Sequence, residues 1–242
     1  MTPPLAADGK GVIVAVDHPL YSWPCRGLED RETLLRSVVA AGADAVIASY
    51  GTLRDCRDAL GRAPTILKLD LTTLTLGGYG VTEYVAAWTV DDALRLGAAA
   101  VLTYVQVGAP FELAALQLAG RVAAAADAAG VPYVCEIMPQ DDDPLAIAAC
   151  CRSAAELGAR LVKTSFPRPV AAIADAIGCG VPVVLAGGDP RDPVHALAEV
   201  GEAIGAGAAG VAFGRNVWGS RDPAAMVRDL VRVVHGATAP AS

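Results

Sequence analysis

Lysine is scarce in this chain, with three residues, Lys10, Lys68 and Lys163, while arginine supplies the rest of the 19 basic residues. Histidine is equally rare, at His18, His195 and His235. The second and third of these fall in helical patterns, which leaves no histidine cluster for a zinc site. The six cysteines, Cys25, Cys56, Cys135, Cys150, Cys151 and Cys179, form no CxxC pair and read as small core or helix residues. No apolar run is long enough to span a bilayer. The first ten residues lack the charged start and apolar core of a secretory signal, so a cytoplasmic location is expected. A net charge of −7 argues against nucleic acid or an anionic membrane as partner. Any anionic substrate must therefore be held locally.

What is present is alternation. Apolar, β-branched runs at 11–16, 45–49, 65–71, 99–106, 133–138, 160–165, 182–186 and 210–213 predict strands. Alanine-rich segments at 31–41, 52–60, 90–96, 111–129, 144–157, 169–177, 193–206 and 223–234 predict one helix after each strand. Four junctions share a Gly-Ala-x-x-Val grammar, beginning at Gly42, Gly97, Gly158 and Gly207, with glycine placed where a helix stops and a strand begins. Eight such units in 242 residues predict a single-domain (β/α)8 TIM barrel over 1–242. An open dinucleotide-binding sheet would carry GxGxxG after its first strand, and this chain does not. The long connection 72–89 suggests a lid.

In such barrels the chemistry gathers at the C-terminal strand ends. These are Asp17 and His18, Lys68 and Asp70, Tyr104 and Gln106, Glu136 and Met138, Lys163 and Ser165, Gly187-Gly188-Asp189, and Gly214-Arg215-Asn216. Glycines after the seventh and eighth strands let backbone N–H groups approach an anion, and Arg215 adds a bidentate cation. Gly187, Gly188, Gly214 and Arg215 are therefore the expected phosphate-binding residues. Lys163 brings a primary amine to the end of the sixth strand, where a neighbouring cation and apolar surroundings favour the nucleophilic free amine of a lysine. Asp17 can move protons, and His18, Lys68 and Ser165 are expected to touch substrate. The competing reading is an ion-pair network of the same residues that closes the barrel mouth.

The segments Ala15-Val16-Asp17-His18, Leu161-Val162-Lys163-Thr164, Leu185-Ala186-Gly187-Gly188 and Gly214-Arg215-Asn216-Val217 occur in barrel order. They resemble the archaeal-type class I fructose-bisphosphate aldolase family, also known as the DhnA or DeoC/FbaB-like aldolases. The resemblance runs over nearly the whole chain. It implies a Schiff-base lysine at Lys163, a proton-handling Asp17, phosphate held around Gly187, Gly188, Gly214 and Arg215, and a homo-oligomer that is pentameric or decameric. It implies neither metal nor cofactor. The chain departs from the family on the fifth strand, where a proton-transferring tyrosine precedes Pro-Arg-Gly. Here Cys135-Glu136-Ile137-Met138-Pro139-Gln140 places methionine at that position. Glu136 and Tyr104 are the candidates to replace the tyrosine. The loop Ser165-Phe166-Pro167-Arg168 also lacks the family's usual tyrosines.

The expectation is an aldolase acting on a phosphorylated ketose or on dihydroxyacetone phosphate. Specialised relatives offer an alternative: an amino-dideoxy-heptulosonate synthase, an enzyme condensing aspartate semialdehyde with dihydroxyacetone phosphate, or a phospho-sugar thiolase. A barrel that binds a phosphorylated ligand without catalysis, or one that holds flavin by its phosphate, is the alternative from another class.

Overall fold

The computed structural model describes residues 2–72 and 83–236. Eight parallel strands close into a barrel in the order β1, β10, β9, β8, β7, β6, β3, β2. These are β1 (Gly11–Ala15), β2 (Ala45–Ala48), β3 (Thr65–Lys68), β6 (Ala100–Gln106), β7 (Tyr133–Met138), β8 (Leu161–Thr164), β9 (Val183–Ala186) and β10 (Gly210–Phe213). The remaining two, β4 (Asp70–Thr72) and β5 (Tyr84–Ala86), form a separate antiparallel pair.

Strand side chains alternate between two faces, and both faces here are dry. One alternating set, including Val12, Val14, Val46, Leu67, Val101 and Val211, packs with the helices in the larger core. The other set is Ile13, Ala15, Ala45, Ile47, Ile66, Ala100, Leu102, Val134, Leu161, Val184 and Ala212, which fills the barrel interior. That plug makes the interior a packed core rather than a pore. Continuing the same alternation by two residues leads from Ala15 to Asp17, Ile66 to Lys68, Leu102 to Tyr104, Val134 to Glu136, Leu161 to Lys163 and Ala212 to Gly214. The mouth residues are thus the next interior layer above the plug.

The helices begin and end where their boundary chemistry requires. The side chains of Asp143, Asp192 and Asp222 accept hydrogen bonds from the first turns of α6 (Pro144–Glu156), α8 (Pro193–Gly205) and α10 (Pro223–His235), with proline opening each. The four Gly-Ala junctions carry positive φ angles of 101°, 73°, 101° and 104° at Gly42, Gly97, Gly158 and Gly207. Residues with a Cβ adopt that region at a cost.

Three expected elements differ from the structure, and one element was not expected. The helix expected at 52–60 breaks at Cys56, whose φ of −107° and ψ of 27° divide α2 (Tyr50–Asp55) from α3 (Arg57–Leu60). The helix expected at 169–177 shortens to a 3-10 turn, Val170–Ala172, followed by α7 (Ile173–Ile177). The strand expected at 65–71 leaves the barrel after Lys68, because the Leu69 carbonyl accepts from Ala87 and Trp88 and draws the chain into the β4–β5 hairpin. A short helix, α9 (Arg215–Trp218), follows β10 unpredicted, and the Trp218 indole donates to the Ala15 carbonyl at 3.1 Å. Of the suggested lid, residues 73–82 lie outside the described residues.

At the opposite end of the molecule His235 joins two carboxylates, with Nδ1 2.8 Å from Asp8 and Nε2 3.0 Å from Asp44. Asp44 also accepts from the Val12 backbone at 2.7 Å, so the contact ties α10 to the start of β1. Burial works against the imidazolium, but hydrogen bonds to Asp8 and Asp44 outweigh it and raise the His235 pKa above its ordinary 6.5. This stabilisation is complete below that ordinary value and is lost as pH rises through the raised one. The urea midpoint of the wild type should therefore exceed that of His235→Gln clearly at about pH 6, and the gap should narrow at about pH 9. A gap that does not change with pH would contradict the ionic role of this contact.

Candidate active site

Parallel register sets the site. Tyr104 pairs with Glu136 across β6 and β7, and Glu136 pairs with Lys163 across β7 and β8. Residues in register project to the same face, so a phenol, a carboxylate and an amine stand in one row. Lys163 Nζ lies 2.7 Å from Glu136 Oε1, and their side chains are only 5% and 10% exposed.

Lys68 has a different counterion. Its Nζ lies 2.6 Å from Asp70 Oδ1, with both side chains buried. Asp70 Oδ2 accepts from the Tyr84 hydroxyl at 2.6 Å and from the Tyr104 backbone N–H. The Lys68 ammonium also lies 5.3 Å from the Tyr104 ring centre and 5.9 Å from that of Tyr21. Burial disfavours its charge, but Asp70, Glu136 and Asp17 more than compensate, and its pKa stands above the ordinary lysine value. Lys68 is a fixed cation, unsuited to nucleophilic attack.

The other ionisable groups follow their surroundings. Asp17 is buried, and among the described residues neither carboxylate oxygen has a hydrogen-bond partner, although His18 Nδ1 is 3.8 Å away. Burial pushes the His18 pKa down to about 4, leaving a neutral ring near pH 7. That ring packs edge-on against Trp218 with centres 5.3 Å apart. Burial, with the nearby Glu136 charge, pushes the Tyr104 phenol up to about 12. The Tyr104 hydroxyl stays protonated and donates to Gln106 Oε1.

A cavity of about 250 Å³ unites most of the expected residues. Lys163, Ser165, Gly187, Gly188, Gly214 and Arg215 line it together with His18, Tyr104, Glu136 and Met138. Glycine is required at two of these positions. A Cβ on Gly187 would stand 2.9 Å from Asn216 Nδ2 and 3.0 Å from Phe213, and one on Gly214 would meet the His18 ring. Arg215 reaches the cavity while its guanidinium pairs with the exposed Asp189 carboxylate. Lys68 lines an adjoining space instead, and Asp17 stays buried beside His18.

Three contributors were not assigned from the sequence. Asn216 Nδ2 donates to the Gly187 and Asp189 carbonyls at 2.9 and 3.1 Å, and its Oδ1 accepts from the Arg191 N–H at 2.9 Å. It thereby holds the turn after β9. Asp70 anchors Lys68, and Tyr21 lines both spaces. Asp70 and Asn216 were visible as strand-end residues, but their partners lie on other segments. Asp70→Asn would leave the Lys68 ammonium buried without its counter-charge, and loss of one partner from such a pair costs about 3–5 kcal/mol. Chemical denaturation should show a destabilisation of that order, and a change within experimental error would refute the pairing.

Comparison with known proteins accords with this geometry. The pattern of the DeoC/LacD family aldolases matches residues 11–220. The chain is 34% identical over 243 residues to the 2-amino-3,7-dideoxy-D-threo-hept-6-ulosonate synthase of Halobacterium salinarum, covering 96% of this chain and 89% of that protein. It is 34% identical over 232 residues to the 2-amino-4,5-dihydroxy-6-oxo-7-(phosphonooxy)heptanoate synthase of Streptomyces griseus, covering 92% of this chain and 84% of the relative. An archaeal fructose-1,6-bisphosphate aldolase, solved with its catalytic lysine covalently bound to the carbinolamine intermediate of the substrate, aligns with a TM-score of 0.85 and 30% identity over 96% of both chains. From the eight-stranded barrel and this match over most of its length, the chain belongs to the DeoC/LacD family of aldolases.

Proposed function

We propose that this protein is a class I aldolase that makes or breaks a C–C bond of a phosphorylated ketose through an imine on Lys163. The observation that carries the reading is the buried pair of Lys163 Nζ and Glu136 Oε1, 2.7 Å apart, on a cavity also lined by Gly187, Gly188, Gly214 and Arg215. An amine beside a base, in reach of an anion cradle, suits a carbonyl compound that carries phosphate.

Glu136 accepts a proton from the Lys163 ammonium, and the free amine adds to the ketone carbonyl. The carbinolamine loses water to give an iminium, which serves as the electron sink. In the synthetic direction a base removes a proton from the neighbouring carbon, and the resulting enamine attacks an aldehyde. The new alkoxide takes up that proton, and water then releases the product and Lys163. Cleavage is the reverse. This chemistry needs no metal or other cofactor.

Glu136 takes the proton-transfer role because it is within general-base reach of Lys163. Met138 lines the cavity where the family carries tyrosine, and a thioether cannot transfer a proton. Tyr104 acts as a hydrogen-bond donor, since its phenol remains protonated. The Asp17 carboxylate has the acceptor capacity to steady a hydroxyl during the carbinolamine steps. His18 and Ser165 are assigned to contacts with the carbon chain, and Lys68 to its far end.

The similarity to the synthases of Halobacterium salinarum and Streptomyces griseus supports a specialised synthase over a fructose-bisphosphate aldolase. A cytoplasmic homo-oligomer, pentameric or decameric, completes the proposal. Family resemblance supports it, as do Leu113, Leu145 and Val194, exposed on the outer helices.

Borohydride reduction in the presence of dihydroxyacetone phosphate should add the mass of the reduced donor to Lys163. Lys163→Met should yield no adduct and no turnover. Activity surviving that substitution, or an adduct on Lys68, would overturn the imine assignment. Glu136→Gln should lower kcat by roughly 10²- to 10⁴-fold, the usual worth of a positioned acid or base. A loss below tenfold would move the role to another group.

A further inference from the structure

Between the loop after β9, the short helix α9 and the first turns of α10 lies a pocket of about 410 Å³. That volume falls within the roughly 300–1,000 Å³ typical of small-molecule sites. Three arginines line it, Arg191, Arg215 and Arg221, beside the apolar side chains of Pro193, Ala225 and Met226. Among the described residues, Arg215 alone lines both this pocket and the Lys163 cavity.

Two carboxylates stand in the same walls, and both are engaged. Asp222 accepts from the Ala225 N–H at 2.8 Å and so caps α10, while Asp229 pairs with Arg232 at 3.0 Å. The arginines are less fully committed. Arg191 pairs with Glu199, whose charge is shared with Arg168, and Arg215 pairs with Asp189, but a guanidinium carries five N–H donors. Arg221 is exposed and has no ion pair among the described residues. The Nε atoms of Arg191 and Arg215 and the Ser220 hydroxyl belong to residues of these walls and are buried without a hydrogen-bond partner among the described residues. Folded proteins leave few buried donors unpaired, and a bound ion is one of the things that pairs them. A carboxylate offers two oxygens and suits one guanidinium fork, whereas a phosphate group presents three to forks arriving from several segments.

We propose that this pocket is a second anion site, separate from the Lys163 cavity, that takes a phosphate-bearing small molecule and weakens the inner cavity's hold on its own phosphate by drawing on Arg215. The site itself does not depend on the imine reading; its coupling rests on the phosphate role of Arg215. Guanidinium donors turned toward the outer ligand are lost to the inner one, so the coupling is negative. Because a single residue is shared, the effect is limited in size, and reciprocity requires the inner ligand to weaken the outer one by the same factor.

The test is calorimetric titration of the full chain with pyrophosphate, in the absence and presence of dihydroxyacetone phosphate, with succinate as the carboxylate control. Pyrophosphate should occupy two sites per chain, and excess dihydroxyacetone phosphate should leave one. The affinity of that remaining site should fall by roughly fivefold or more as dihydroxyacetone phosphate is added, and then level off. Arg221→Ala should weaken it by about tenfold or more, the worth of a charge-assisted hydrogen bond, and leave the borohydride adduct on Lys163 unchanged. Ala225→Glu, which sets a carboxylate near the arginines at a helix position that favours an acid, should weaken it as well. Loss of pyrophosphate binding without a plateau as dihydroxyacetone phosphate rises would place the anion in the inner cavity and overturn the proposal. Unchanged affinity in Arg221→Ala, or succinate bound as tightly as pyrophosphate, would overturn it too. An affinity indifferent to dihydroxyacetone phosphate would remove the coupling through Arg215. If dihydroxyacetone phosphate neither binds nor forms an adduct, the imine reading fails by itself, and the count of pyrophosphate sites, two in the wild type and one in Arg221→Ala, still decides this one.

Discussion

Closure of eight parallel strands is the constraint on which the site depends. Closure gives every strand an inside, and strand alternation decides which residues occupy it. The lower interior layers are filled by buried Ile, Leu, Val and Ala. The layer above them holds Asp17, Lys68, Tyr104, Glu136 and Lys163, all from different strands or strand ends. No local interaction in the sequence would bring these groups together. They meet because each is the next inward residue above a dry plug, and the plug keeps their charges poorly screened.

Two lysines in this layer are held differently because their counterions are built differently. Asp70 is committed to Lys68, Tyr84 and the Tyr104 backbone, so its negative charge is held in place and Lys68 remains an ammonium. Glu136 reaches Lys163 from the adjacent strand and also lines both cavities. One carboxylate is enclosed by its partners, and the other opens onto the cavities.

Much of this was legible in the sequence because it depends on local repetition. Strand-helix alternation, the Gly-Ala junctions and the strand-end positions of Lys163, Glu136, Gly187-Gly188 and Gly214 follow from spacing alone. The losses occurred where a distant partner decides. Whether Asp70 faces Lys68 depends on a bend at Leu69 that is stabilised by backbone donors from Ala87 and Trp88. Asn216 matters through carbonyls on another loop. The short helix at Arg215–Trp218 has no side-chain cap and spans about one turn, too short for a 3.6-residue period to emerge. The interruption at Cys56 likewise has neither proline nor glycine to announce it.

The bond from the Trp218 indole to the Ala15 carbonyl joins residues 203 positions apart. It lies at the seam where β1 meets β10, the contact of greatest sequence separation in the barrel. Contacts of this kind carry a large loop-closure entropy and favour slow folding. His18 enters from one side of that seam, and Gly214 and Arg215 enter from the other. The packing of His18 against Gly214 therefore has no local precursor during synthesis or refolding. Until the last strand docks against the first, the chain can present Glu136 beside Lys163 and the glycines after β9 beside Gly214, but the His18 side of the cavity stays open.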